Sequence, residues 1–400
     1  MSKTPKSRVP QTQQASSPTD NGKLSTSQTR FENRPSTGGG RTEFDHYPEA
    51  QGEDVKERPQ PADEPTGGSE GEISQSDLLD TMRRTIERLE KDGTTRGDLK
   101  ILSRSLRELR YAFKVFQPYR RHRKVTVFGS ARTMPEHPAY QQAVEFGRAM
   151  ARHHWMIITG AGGGIMEAGH VGAGRDLSMG LNIMLPFEQS ANPIIDGDPK
   201  LVTMKYFFTR KLMFVKECSA VVSLPGGFGT LDETAETLTL LQTGKQTMLP
   251  VVLLDQPGGD FWRHFGEFVD RTLLSDGMIN PEDKSLYRIT DSVDAAVEEV
   301  LKFYRVYHSM RYVGDTLVLR ICQPLSDEAL AELNDRFADI LVEGKIEQVA
   351  ALAEEANEPE LARLPRIKMR FDRKHLAKLR QMIDAINETC PTCTVDSNNS

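Results

Sequence analysis

Three segments of the 400-residue chain, two rich in glycine and one carrying an Arg-Lys pair, have residue types that suit an anionic ligand. The first runs Thr159-Gly160-Ala161-Gly162-Gly163-Gly164-Ile165-Met166-Glu167. Glycines there let backbone N–H groups approach a phosphate, and a helix starting just beyond adds its partial positive end. The same turn can also serve only tight packing of helix on strand. A dinucleotide fingerprint G-x-G-x-x-G counted from Gly162 fails at Glu167, and no G-x-x-x-x-G-K-[ST] occurs, so neither a nicotinamide cofactor nor ATP in a P-loop is favoured. The second segment is Tyr206 to Phe214, where Arg210-Lys211 stands among apolar residues. Such charges are costly to desolvate unless they meet an anion or the carboxylates of a neighbouring helix. The third is Leu224-Pro225-Gly226-Gly227-Phe228-Gly229-Thr230-Leu231-Asp232-Glu233. Thr230 supplies a hydroxyl, and Glu233 falls one turn into the following helix. A carboxylate there either favours the helix dipole or, facing a phosphate site, becomes a catalytic or sugar-binding group.

These segments need elements to position them. Val125 to Phe128, Trp155 to Ile158, Met179 to Leu185, Ala220 to Leu224 and Leu249 to Leu254 are short apolar, β-branched runs separated by amphipathic stretches. That alternation predicts parallel strands buried on both faces: an α/β, Rossmann-like, doubly wound sheet over 125–307, with ligands beyond the carboxyl ends of its strands. Two glycine loops at two such ends converge on one crevice.

On these motifs the chain resembles the LOG (Lonely Guy) family of nucleoside 5'-monophosphate phosphoribohydrolases, long labelled possible lysine decarboxylases. The resemblance rests on Gly162-Gly163-Gly164 after a strand, on Arg210-Lys211 and on the complete PGGxGTxxE pattern of Pro225 to Glu233. It implies release of a free base and ribose 5-phosphate from a nucleotide, most simply a purine one such as AMP, with no cofactor and no metal. It implies Arg210 and Glu233 as the catalytic pair, with Lys211 beside them. Gly226, Gly227, Phe228, Gly229, Thr230, Leu231 and Asp232 resemble the phosphate- and ribose-binding loop. Gly163 with Gly164 forms the other wall, and Glu188 and Thr239 fall at substrate-contacting positions. The family also implies a homodimer or dimer-based oligomer. Nothing in the residues supports decarboxylation of lysine. Molybdenum-cofactor carriers resemble the same fold, so a non-catalytic carrier of an anionic pterin or a nucleotide is the alternative.

Outside that region, 1–75 is rich in Ser, Thr, Pro, Gly and Gln and reads as disordered. Residues 76–124 read as a helical extension, its two apolar stripes broken at Asp92-Gly93 and its start capped by Ser76, suited to packing on the main domain or to dimerisation. Tyr119-Arg120-Arg121-His122-Arg123-Lys124 reads as a solvated linker, with a regulatory anion site as the alternative. Residues 308–387 read as a small α+β unit of ferredoxin-like type, with a helix from Ser326 to Leu341 and a weak strand from Ile346 to Leu352, and 388–400 as a tail.

Composition narrows the partners. With 51 Lys plus Arg against 57 Asp plus Glu, a net charge of −6 does not suit a protein that coats nucleic acid. No apolar run reaches the ~18 residues of a membrane helix, and no leader is visible at Met1 to Gln14. Four cysteines, two of them a lone C-x-x-C at Cys390 and Cys393, suit a reducing cytoplasm better than a disulfide framework or a zinc site.

Overall fold

A computed structural model describes residues 74–185 and 190–389. Glu188, the 1–73 segment and the Cys390/Cys393 pair lie outside the described residues.

The described residues open with two helices, α1 (Gln75–Lys91) and α2 (Arg96–Phe116). The cap of α1 is Ser74 rather than the expected Ser76: Ser74 Oγ accepts the Asp77 N–H at 3.2 Å, and the Asp77 carboxylate returns to the Ser74 N–H, a reciprocal capping box. The break falls at Asp92-Gly93, as the sequence predicts, with Gly93 at φ +67°.

The main sheet and its helices follow in the order β1 (Lys124–Phe128), α3 (Pro138–Arg152), β2 (Met156–Thr159), α4 (Ile165–Ala173), β3 (Ser178–Ile183), β4 (Leu201–Met204), α5 (Phe207–Glu217), β5 (Ala220–Ser223), α6 (Phe228–Gln242), β6 (Val251–Leu254), α7 (Phe261–Phe268), β7 (Arg288–Thr290) and α8 (Val293–Phe303). The seven strands are all parallel, in spatial order β4-β3-β2-β1-β5-β6-β7. β1 is the pivot. The chain builds outward from it to β4, then returns through α5 to place β5 on its other side, so the sheet is doubly wound. All five residues of β1 are buried, as are those of β2, β3, β5 and β6. That is why these strands read as continuous apolar runs. β4 and β7 sit at the two edges, partly exposed and short, and carry no comparable apolar run.

A second sheet is formed by β8 (Tyr307–Val313), β9 (Thr316–Ile321), β10 (Leu341–Val349) and β11 (Arg366–Phe371), with α9 (Asp327–Arg336) and α10 (Leu376–Glu388). Its strands are antiparallel in the order β10-β11-β9-β8. The connectivity is two hairpins each followed by a helix, β-β-α-β-β-α, not the ferredoxin-like order. α9 also ends at Arg336, earlier than its apolar spacing suggested. Phe337 and Ile340 go into the core through a short turn, and the polar edge strand β10 begins at Leu341. The linker reading of Arg120 to Lys124 holds for its first part only. Lys124 is buried as the first residue of β1, and the Arg123 guanidinium lies 3.5 Å from the centre of the Tyr304 ring and donates to His308 O.

Among the described residues no helix is long and apolar enough to cross a membrane.

Candidate active site

Parallel register brings the carboxyl ends of β2, β1 and β5 together: Thr126 of β1 pairs with Ile158 on one side and Val221 on the other. Three loops therefore meet there, residues 129–132, 160–164 and 224–227. Ser130 ties them. Its N–H donates to Pro225 O at 3.1 Å, and its carbonyl accepts from Ile165 N–H at 3.0 Å. Gly164 shows why this approach demands glycine: its φ is +63°, and a Cβ at that position falls 2.3 Å from Ser130 O. The helices α4 and α6 start directly beyond Gly164 and Gly227, so both present their N-terminal ends to the crevice.

The glycine loop after β2 has a buried support. His170, on α4, is wholly buried, and burial pushes its pKa down to about 4 against the opposing effect of its hydrogen bonds to Met179 O and Asn192. Neutral, it can donate from Nε2 to Met179 O at 3.1 Å while Nδ1 accepts from Asn192 Nδ2 at 3.2 Å. Asn192 Nδ2 also reaches Gly162 O at 3.1 Å, and the Asn192 N–H donates to Ala161 O at 2.8 Å. Thr159 Oγ1 accepts the Ala161 N–H at 3.0 Å. These bonds hold Ala161 at φ +61°, a left-handed conformation that costs a residue with a Cβ about 1 kcal/mol or more.

Arg210 enters from α5. Its Nε donates to Leu181 O of β3 at 2.8 Å, its guanidinium lies 5.0 Å from the Phe214 ring centre, and it presses on Gly160, where a Cβ falls 2.2 Å from Nη2. Burial lowers the Arg210 pKa, and the Glu233 charge opposes that change. Glu233, one turn into α6, is only 7% exposed. Burial raises its carboxyl to about 7. Arg210 and Lys211 pull the value down, while Glu236 and Asp232 push it up. Arg210 and Glu233 thus share one corner and sense each other's charge. The ion pairs recorded there among the described residues belong to Lys211, whose Nζ lies 2.8 Å from Asp232 Oδ2 and 3.2 Å from Glu236 Oε2. Burial alone lowers the Lys211 pKa, but those bonds outweigh it and raise the value. Lys211 therefore takes the helix-carboxylate alternative left open by its sequence.

The remaining predicted residues fall as follows. Thr230 is buried at the start of α6, its N–H on Gly227 O at 3.0 Å. Gly227, Phe228, Gly229 and Asp232 are exposed along the open side, Phe228 at 91%. Gly163 and Gly226 are half-buried between the loops, and Leu231 packs on the core. Thr239 stands six residues beyond Glu233 on α6, exposed, with its hydroxyl on Ala235 O. Two participants escaped the sequence reading. Ser130 follows the β1 run directly as Gly129-Ser130, a signal that was available. The His170–Asn192 pair left none, since 22 residues separate them. Among the described residues, no group of three or more His, Cys, Asp or Glu is placed to hold a metal ion.

Comparison with known proteins gives a consistent family. The sequence profile of a family described as "Possible lysine decarboxylase" matches residues 161–300. The cytokinin riboside 5'-monophosphate phosphoribohydrolase LOG of Oryza sativa subsp. japonica is 31% identical over 189 residues, 46% of this chain and 73% of that protein. The phosphoribohydrolase LOG7 of Arabidopsis thaliana is 28% identical over 167 residues, 40% of this chain and 73% of its own length. Among solved structures, the molybdenum cofactor carrier protein of Chlamydomonas reinhardtii superposes on 44% of this chain and 94% of its own, at 22% identity and a TM-score of 0.32. A superposition that loose carries no argument about ligand or chemistry.

Proposed function

This chain belongs to the LOG family, and from that premise we propose that it hydrolyses the N-glycosidic bond of a nucleoside 5'-monophosphate, a purine nucleotide such as AMP, to the free base and ribose 5-phosphate. The observation that carries this reading is the shared corner of Arg210 and Glu233, set against two helix N-termini and three glycine-bearing loops. A carrier of anions needs the loops; it has no need of a carboxylate buried beside them.

The chemistry follows from charge. Cleaving C1'–N develops oxocarbenium character on the ribose, so a carboxylate close to the sugar lowers the barrier. Glu233 in its ionised form supplies that charge and accepts a proton from the attacking water as the new C1'–O bond forms. The electron pair of the broken bond leaves with the base, which takes up a proton. Arg210 holds the nucleotide and keeps Glu233 ionised often enough to act; an always-charged guanidinium is a poor proton donor. The 5'-phosphate, seated by the loops, fixes the ribose over Glu233 and favours monophosphates over nucleosides. The Lys211–Asp232–Glu236 cluster braces α5 against α6, which carry the two groups.

Purified protein is incubated with AMP, GMP, CMP and UMP in turn, and free bases are resolved by chromatography. Base is expected from wild type, most from AMP, and none from Glu233→Ala or Arg210→Ala variants that remain folded. No base from any nucleotide, or near-wild-type release by both variants, overturns the reading.

A further inference from the structure

The α2 helix carries a second feature that the glycosidase reading does not use. Arg96, Lys100, Arg104 and Arg107 recur at steps of four, four and three, along one helical face. With Lys205 and Tyr206 from the start of α5 they line a cleft of about 540 Å³, and among the described residues no carboxylate lines it. Neither acidic side chain of α2 lines the cleft. Asp98 accepts from the Thr95 hydroxyl at the helix cap, and Glu108 is buried beneath the cleft. Arg104 is paired with the buried Glu108, but Arg96, Lys100, Arg107 and Lys205 have no carboxylate partner among the described residues. These four cations repel one another unless an anion joins them, and a single monophosphate is too small to meet them all.

The floor of this cleft is wired to the candidate active site. Glu108 accepts Arg104 Nε at 2.7 Å, the Lys205 N–H at 2.8 Å and the Thr209 hydroxyl at 2.9 Å. Burial alone raises the Glu108 pKa, yet these bonds outweigh it and hold it below the usual carboxylate range. The α5 helix has no side-chain cap of its own, so the Glu108 carboxylate stands at its N-terminal end. The residue after Thr209 is Arg210.

We propose that this cleft binds an oligophosphate chain, free or carried by a nucleoside, and that occupancy lowers turnover at Arg210 and Glu233. Phosphate oxygens compete with Glu108 for the Arg104 guanidinium; losing that partner loosens the tie that fixes the start of α5 and, with it, Arg210. Tyr206 stands at the cleft to stack a base if the chain carries one. The regulatory half rests on the proposed hydrolysis, whereas the binding half stands apart from it.

Titration calorimetry on the full chain, with inorganic tripolyphosphate, ATP or orthophosphate, tests binding directly. Saturating ribose 5-phosphate keeps the glycine loops occupied. Tripolyphosphate is expected to bind at least about tenfold more tightly than orthophosphate, with affinity falling as salt rises. The exposed triple variant Arg96→Glu/Lys100→Glu/Arg107→Glu, which leaves the catalytic groups untouched, loses that binding. A loss of ATP affinity in Tyr206→Ala, with tripolyphosphate unaffected, assigns the nucleoside-borne chain; equal affinities in both assign the inorganic one. For regulation, tripolyphosphate lowers kcat/KM in wild type but not in the triple variant, and Glu108→Gln binds it without the response. Unchanged tripolyphosphate binding in the triple variant overturns the site. So does failure of both oligophosphates while a single-stranded RNA binds through the same residues. If no nucleotide is hydrolysed, the calorimetry still decides the site, so the two failures are separable.

Discussion

Glu233 is the residue in which site and stability pull against each other. Its carboxyl is raised to about 7 from an ordinary 4.5, burial being the main cause. The folded state therefore holds the proton more tightly than the unfolded chain, and this group's contribution is fully present below about 4.5 and lost as pH rises to about 7. Glu233→Gln removes that loss. It is expected to stabilise the protein by on the order of 2 kcal/mol at pH 8 and hardly at all at pH 4, read from urea unfolding at both pH values. The same change lowers kcat by roughly 10²- to 10⁴-fold. In wild type kcat/KM climbs with pH and levels off above about 7, because the ionised form is the working one; a profile that falls across that range contradicts the assignment. His170 gives a different signature. His170→Leu leaves Gly162, Ala161 and Asn192 without their buried support, so KM for the nucleotide rises several-fold while kcat changes less, measured by initial rates. The two residues proposed for catalysis stand out in the sequence because each lies in a short local motif, Arg210 in one segment and Glu233 in another. His170 does not, because its meaning lies in Asn192 and Met179, partners that only the fold supplies.

At the scale of elements, burial decided what could be read in advance. β1, β2, β3, β5 and β6 are enclosed on both faces and announce themselves as apolar runs. β4, β7 and β10 are edge strands with few buried residues and no continuous apolar run, so a reading by hydrophobic pattern passes over them or misplaces their limits. The loops between elements carry the tighter constraint. Gly164→Ala puts a methyl group against Ser130 O in a left-handed conformation, so the 129–132 and 160–164 loops must part. A fall in stability of about 1–3 kcal/mol is expected, together with loss of nucleotide binding. Thermal unfolding and equilibrium dialysis of AMP check the two halves separately.

At the scale of the whole molecule, the helices α1 and α2 present apolar faces that call for a partner. Among the described residues α1 buries none of its side chains, and Leu79, Met82 and Ile86 are each more than half exposed. Leu102, Leu106 and Phe113 continue the exposure along α2, and Phe207, Phe208 and Leu212 along α5. Apolar faces of that extent ordinarily meet a partner. A second copy of this chain is the expected one, so sedimentation equilibrium should give a dimer that Leu79→Glu/Met82→Glu dissociates; a monomeric wild type removes this expectation. The central claim is chemical, and its most direct measurement is product balance. AMP is incubated with wild type and with folded Glu233→Gln at pH 8, and adenine and ribose 5-phosphate are quantified together. Equimolar products from wild type and none from the variant are predicted. AMP recovered intact from both, or bound without cleavage, contradicts the account.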